Sequence, residues 1–305
     1  MLDDVLGWLR CPHCGRQLTR AGGSLRCGAG HSFDIARRGY VSLLQPGARG
    51  GGDTAAMVRA REEFLATGHF APVAAALADA AAAATGRETR PSREPGCVLD
   101  AGAGTGYYLA AVLDRLPGLA GLALDASGHA LRRAARAHPR IGAVGCDAWR
   151  PLPVADAAAD VVLNVFAPRH GAELRRVLRP GGRLLVVTPA ADHLAELTGP
   201  LGLLSVDERK RERLADNLGP SFDLVAEREH RGAMTLSHQE MAALAAMGPS
   251  SWHASQAATA ERVASLPDPL TVTRAVSLMV LRPRHGRPQR AKPQRVKPRR
   301  ATPQP

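Results

Sequence analysis

Between Cys97 and Val112 the chain reads Cys-Val-Leu-Asp-Ala-Gly-Ala-Gly-Thr-Gly-Tyr-Tyr-Leu-Ala-Ala-Val: a short apolar strand, a glycine turn and the first turns of a helix. Gly102, Gly104 and Gly106 stand at alternate positions, where a missing Cβ lets the backbone turn sharply and come close to a ligand. Asp100 closes the strand and is placed to hold the loop and a cationic or hydroxylated ligand. A dinucleotide loop has the spacing G-x-G-x-x-G and offers helix-end amides to a pyrophosphate. Here the spacing is D-x-G-x-G-x-G, with a carboxylate where an anion would be repelled, so the positively charged S-adenosylmethionine fits better than a nicotinamide dinucleotide. Two further apolar strands end in acids. Leu122-Ala-Leu-Asp125 places a carboxylate where α/β nucleotide folds hold a ribose, and Ala143-Val-Gly-Cys-Asp147-Ala148 offers an acid and a small residue to an adenine edge.

A second set of chemical side chains lies near the start. Cys11-Pro-His-Cys14 and Cys27-Gly-Ala-Gly-His31 give C-x2-C and C-x3-H, two knuckles that together supply four ligands to one tetrahedral zinc. All four positions are filled, so the metal is structural and leaves no place for a reactive water. It staples a segment too small to fold on its own core. His13, with its neighbours completing the set, reads as a surface residue. Three of the five cysteines belong to this cluster, which suits metal binding in a reducing compartment better than a disulfide framework.

The methyl acceptor is expected at the end of the strand Asp-Val-Val-Leu-Asn-Val-Phe-Ala, residues 160–167, which faces the donor across the switch point of such sheets. Asn164, Phe166 and Pro168 are the candidates there; the plainer alternatives are a satisfied amide and a core ring. His193, just past Pro189, sits where a loop reaches a cofactor, with an exposed helix cap as its plainer alternative. No residue declares itself as the proton acceptor.

The elements that must position these groups follow from periodicity and punctuation. Helical spacing covers 53–67, with Asp53 as cap, and then 73–84 after the break at Gly68 to Pro72. Helices are expected at 107–116 and 127–138, a helix at 174–178, a tight turn at Arg179-Pro-Gly-Gly182 and a buried strand at 183–188. A charged helix over 207–216, a strand over 222–230, a helix over 236–247 and a last strand over 270–281 complete the sheet. Gly47 to Gly52 reads as a hinge and 86–96 as a polar connector.

At 305 residues and 45% hydrophobic content the chain can bury a sizeable core. Its net charge is +12, and residues 282–305 hold nine Lys or Arg and no acid, with prolines at every fifth position from 283 to 303. Such a tail has nothing to bury and should be disordered while attracting phosphates. The first ten residues lack the apolar core of a signal peptide, and the alanine-rich run 72–85 is too short to span a bilayer, so the expected location is cytoplasmic, with no membrane partner.

Taken together, Cys-Pro-His-Cys with Cys27 and His31, Phe33-Asp-Ile-Ala-Arg-Arg-Gly-Tyr-Val-Ser-Leu-Leu44, Arg59-Ala-Arg-Glu-Glu-Phe-Leu-Ala-Thr-Gly-His-Phe70, Asp100 to Tyr108 and Phe166-Ala-Pro168 make the chain resemble the RlmA-type 23S ribosomal RNA guanine-N1 methyltransferases over nearly all of 9–281. The resemblance implies an α/β class I SAM-dependent methyltransferase with a Rossmann-like sheet, a small N-terminal zinc-binding domain and a disordered basic tail. The boundaries are then 1–45 for the zinc-binding RNA-recognition domain, 46–95 for a linker and helical segment, 96–281 for the methyltransferase domain and 282–305 for the tail. It also implies Cys11, Cys14, Cys27 and His31 as zinc ligands, and Phe70, Gly104, Thr105 and His193 as cofactor contacts. The implied partner is a 23S ribosomal RNA hairpin gripped in the cleft of a homodimer, with guanosine 745 or 748 as the target. The second branch includes enzymes that confer resistance to tylosin-like macrolides, and the Arg- and Ala-rich composition with its basic tail looks more like that branch. Two rivals stand beside this reading. A small-molecule methyltransferase would share the sheet but have no use for the zinc module, and a non-catalytic zinc RNA-binding protein would need no acid-bearing loop.

Overall fold

The computed structural model describes residues 2–47, 52–86, 96–203, 215–248 and 256–284. The central hinge glycines, most of the polar connector and of the charged helix expected at 207–216, and the tail from 285 lie outside the described residues.

In chain order the elements are α1 (Leu2–Val5), β1 (Leu18–Ala21), β2 (Ser24–Cys27), β3 (Ser32–Asp34), β4 (Tyr40–Ser42), α2 (Ala55–Ala66) and α3 (Ala71–Thr85). Next come β5 (Gly96–Ala101), α4 (Tyr107–Arg115), β6 (Leu119–Asp125), α5 (Gly128–Ala137), β7 (Ile141–Gly145), β8 (Ala159–Val165), α6 (Gly171–Val177) and β9 (Leu178–Pro189). The chain continues through α7 (Ala195–Leu201), β10 (Phe222–Leu236), α8 (His238–Ala246), α9 (Gln256–Ala264) and β11 (Leu270–Pro283).

Strands β1, β2 and β3 form a small antiparallel sheet, and the other eight form one large sheet in the order β10-β11-β9-β8-β5-β6-β7-β4. From β4 to β9 neighbouring strands run parallel; β11 and β10 are antiparallel additions at one edge. Strands β5 to β8 are buried on both faces, which is why each reads as a nearly unbroken apolar run. Alternate residues of β5 serve different cores. Val98 packs with α2, α3, α4 and α5, while Cys97 and Leu99 pack with α6 and with Leu2, Leu9, Leu18, Leu25 and Val41 from the N-terminal segment. The segment carrying Cys11, Cys14, Cys27 and His31 thus covers part of a face that helices ordinarily cover, and β4 extends the large sheet by pairing Val41 with Val144.

Local chemistry sets several boundaries differently from the sequence expectation. Thr54, not Asp53, caps α2 by accepting the Met57 N–H at 3.3 Å, because a cap must reach the amide three residues on; Asp53 bonds Arg61 instead. Helix α6 begins at Gly171, not Leu174, because the His170 ring accepts the Glu173 N–H at 3.2 Å. Arg179 to Gly182 is not a turn between elements but an excursion inside β9, with Leu178 opposite Ala159, Arg183 opposite Val161 and Gly181 at φ +83°. The strand expected to stop at His230 continues to Leu236, paired along all of β11, and a capping box of Ser237 and Glu240 starts α8. At the other end β11 runs two residues past Leu281, so Arg282, expected in the tail, lies in the sheet with its Nε 3.6 Å from Asp223. Among the described residues no single helix is long and apolar enough to cross a membrane.

Candidate active site

The strand order reverses at β5, which has β6 on one side and β8 on the other. Outside the carboxyl ends of these strands open α/β sheets hold their ligands, and here lies a cavity of about 690 Å3. Asp100, Asp125 and Asp147, at the ends of β5 and β6 and just past β7, all line it.

The three acids are in different states. Asp100 is 1% exposed and its Oδ1 has no hydrogen-bond partner. Burial, helped by the charge of Asp125, pushes its carboxyl up to about 8. Asp125 accepts the Gly104 N–H through Oδ2 and the Ser127 N–H through Oδ1, each at 2.8 Å. Burial raises its pKa while those two amides oppose the rise. Asp147 accepts the Trp149 N–H at 2.9 Å. A buried, unpartnered carboxylate oxygen costs free energy unless a donor reaches it, and a ligand ammonium is such a donor. Asp125 keeps one further lone pair per oxygen for hydroxyls. With a volume inside the range of cofactor pockets, the cavity fits S-adenosylmethionine.

The three glycines divide. Gly102 (φ +87°) and Gly104 (φ +53°) line the cavity, and a Cβ on Gly102 would fall 2.4 Å from the Cβ of Ala167. Gly106, expected to touch the cofactor, does not line the cavity. Its φ of +82° starts α4, and a Cβ there would lie 3.0 Å from Cα of Ala134, so its work is packing α4 on α5. Thr105, 8% exposed, lines the cavity.

Aromatic rings line the same cavity. Phe70, 3% exposed, places its ring centroid 6.2 Å from Phe166 and 6.1 Å from His193, edge-on to both. The rings of Phe166 and His193 are stacked at 6.2 Å with 15° between planes, and the Nδ1 of His193 accepts the Ala275 N–H at 3.2 Å. Phe166 is 41% exposed with φ +51°. An exposed ring on left-handed backbone is costly by about 1–3 kcal/mol and such residues cluster at functional sites. Pro168 also lines the cavity. Asn164 does not. It is fully buried; its amide NH2 donates to the carbonyls of Ala101 at 3.1 Å and Pro168 at 3.0 Å, which straps the β8 end to β5, while its Oδ1 has no hydrogen-bond partner.

Arg61, Tyr108 and Trp149 line the same cavity and were not singled out as site residues from the sequence, although Tyr108 and Arg61 lie in stretches that carry the resemblance. Arg61 bonds Asp53 and donates to the Met247 carbonyl at 2.8 Å, which closes the cavity from α2 and α8. Trp149, two residues after Asp147, lines the cavity and is 49% exposed, a large ring left partly open to solvent at the site.

The metal-binding set assembles as expected. One ligand atom each from Cys11, Cys14, Cys27 and His31 lies within 4.8 Å of all the others. Sγ of Cys14 and Cys27 are 3.6 Å apart, and Nδ1 of His31 lies 3.5 Å from Sγ of Cys11 and 3.3 Å from that of Cys27. Edges of about 3.5–3.8 Å are what a tetrahedron with zinc–sulfur bonds of about 2.3 Å requires, so the four fit zinc. His13 is exposed, as expected, and stacks on Phe33 at 5.9 Å.

Comparison with known proteins agrees with both halves. A family model described as the N-terminal zinc ribbon of RlmA matches residues 9–46, and one described as a methyltransferase domain matches 98–182. The chain is 55% identical to a Micromonospora griseorubida protein provisionally named a 23S rRNA (guanine-N(1)-)-methyltransferase, over 93% of this chain and 100% of that one. It is 48% identical to the 23S rRNA (guanine(748)-N(1))-methyltransferase of Streptomyces fradiae, over 93% of this chain and 99% of that one. Likeness to the malonyl-[acyl-carrier protein] O-methyltransferase of Herminiimonas arsenicoxydans, at 36% identity, covers 38% of this chain and 45% of that one.

Proposed function

The chain belongs to the 23S rRNA (guanine-N1)-methyltransferases, and from that membership we propose that it moves a methyl group from S-adenosylmethionine to N1 of guanosine 748 in 23S ribosomal RNA. The observation that carries the reading is one cavity lined by three strand-end acids and by the rings of Phe70, Phe166 and His193, in a chain whose zinc ribbon can hold its metal. Position 748 rests on the likeness to the Streptomyces fradiae enzyme. A small-molecule substrate draws support only from relatives that match a minor part of the chain.

S-adenosylmethionine, when bound, supplies a methyl on a sulfonium and leaves as a neutral thioether. The chain's residues therefore act chiefly by alignment and proximity. Asp100 would hold the ammonium with its unpartnered oxygen, Asp125 the ribose hydroxyls, and Asp147 with Trp149 the adenine end, while Thr105 and the amides of the glycine loop close around the donor. On the acceptor side Phe166, backed by Phe70 and His193, offers a ring on which a splayed guanine stacks; this offsets the few kcal/mol of unstacking. Zinc, held by Cys11, Cys14, Cys27 and His31, fixes the ribbon that covers the second face of the sheet. Further out, the reading takes the substrate as an RNA hairpin held by a homodimer in the cytoplasm, and the methyl as protection against tylosin-like drugs.

Primer extension tests the proposal. A methyl on N1 blocks the Watson–Crick edge, so reverse transcriptase should stop next to guanosine 748 only when protein and S-adenosylmethionine are both supplied. A stop at 745 overturns the position; label from the donor entering metabolites and not RNA overturns the substrate.

A further inference from the structure

The zinc knuckle and the cofactor cavity are joined by polar contacts through two side chains that neither site requires for itself. Gln45 lies just beyond β4. Its Nε2 donates to the carbonyl of Pro12, which stands between Cys11 and Cys14 in the first knuckle. Its Oε1 accepts from Nη1 of Arg150 at 3.1 Å, while Nη2 of Arg150 donates to the Gly47 carbonyl at 2.7 Å. Arg150 ends the short loop that brings Asp147 and Trp149 to the cavity. Its backbone N–H donates to the Asp147 carbonyl at 3.1 Å, and its Nε lies 3.8 Å from Oδ2 of Asp147. A primary amide has one carbonyl and one NH2, and here each is engaged by a different element, the NH2 by the metal loop and the carbonyl by the cofactor loop.

On the cofactor reading of this cavity, we propose that Gln45 and Arg150 are positioning residues that couple metal occupancy at Cys11, Cys14, Cys27 and His31 to affinity for the cofactor. Zinc fixes the backbone at Pro12. Pro12 fixes the amide of Gln45, and the amide fixes the guanidinium that braces the Asp147–Trp149 wall. A wall ordered in advance need not be ordered by the ligand, which is where the affinity gain arises. Coupling of this kind is reciprocal, so cofactor must tighten zinc by the factor by which zinc tightens cofactor.

The test uses the full-length, zinc-loaded protein with S-adenosylhomocysteine as the probe. Calorimetry measures its affinity, and equilibrium competition against a chromogenic chelator measures zinc affinity with and without a saturating amount of it. In the wild type the probe should raise zinc affinity about fivefold, the scale of one hydrogen bond in the path. Gln45→Ala should bind zinc stoichiometrically, melt as a folded protein, bind the probe about fivefold more weakly and show no coupling. Gln45→Glu keeps a partner for Arg150 but cannot donate to Pro12; it should bind the probe like the wild type and still lose the coupling. The inference is overturned if the wild type binds the probe with no effect on zinc, or if coupling survives in either variant. A wild type that ignores the probe altogether overturns the cofactor reading beneath it as well.

Discussion

Asp100 gives a quantitative handle on the donor site. Its carboxyl sits at about 8, against an ordinary 3.8, because it is buried first and lies near Asp125 second. A cation bound beside it favours the ionised form, so binding must expel the proton. At pH 6 such a group is about 1% ionised and at pH 7.5 about a quarter. If S-adenosylmethionine binds only the carboxylate form, its affinity should rise about 20-fold between those pH values. The gain should flatten above pH 8, where Asp100 is ionised anyway and the ligand's own amino group, near 8, begins to lose its charge. Calorimetry in two buffers of different ionisation enthalpy should show about 0.9 proton released per molecule bound at pH 7. Asp100→Asn removes the titration, and its weaker affinity should be flat from pH 6 to 7.5. An affinity independent of pH in the wild type, or a slope unchanged in Asp100→Asn, refutes the assignment of the ammonium to this carboxylate. The same displacement makes the protein without ligand lose stability as pH climbs from about 4 to 8, since the unfolded chain has by then given up a proton that the folded one still holds.

Asp125→Ala strands the amides of Gly104 and Ser127 together and should weaken S-adenosylmethionine binding at least about 100-fold with zinc content unchanged, as read by calorimetry and metal analysis. Gly106→Ala forces a side chain onto φ +82° and against Ala134; urea unfolding should show a loss of about 1–3 kcal/mol. Phe166→Ala should lower kcat/KM for the RNA about 10- to 100-fold while the donor's Kd stays within about twofold, the split expected of a ring that stacks on the acceptor base.

The residues proposed to hold the donor were legible as a cluster because the requirements of such a loop are local. An acid at a strand end and glycines at alternate positions are dictated by a few bonds of backbone, and Asp100, Gly102 and Gly104 all line the cavity. The zinc ligands were legible for the same reason: each knuckle is a few residues long, and all four groups converge. Gly106 misled because a glycine that serves a ligand and one that serves a neighbouring helix look alike until the partner, Ala134, is placed. Asn164 was legible only in part. Its position at the β8 end was read correctly, but the direction of its amide depends on carbonyls of Ala101 and Pro168 that only the folded sheet brings near. Arg61 and Trp149 were not singled out because what makes them part of the site is the closure of α2 and of the loop after β7 over it. In the fold, the central strands followed from apolar runs. The pairing of β4 with β7 did not, since three residues carry no periodicity.

That pairing bears on how the molecule is made. A ribosome delivers Val41 long before Val144, so the first segment emerges with its destined neighbour still unwritten. In the interval its apolar side chains, Leu9, Leu18, Leu25 and Val41, have no large sheet to settle on, and ion capture by the knuckles together with the pairing of β1, β2 and β3 is what can gather them locally. Shortage of the ion should therefore harm newly synthesised chains far more than finished ones, a difference that a pulse of chelator given during or after translation would expose.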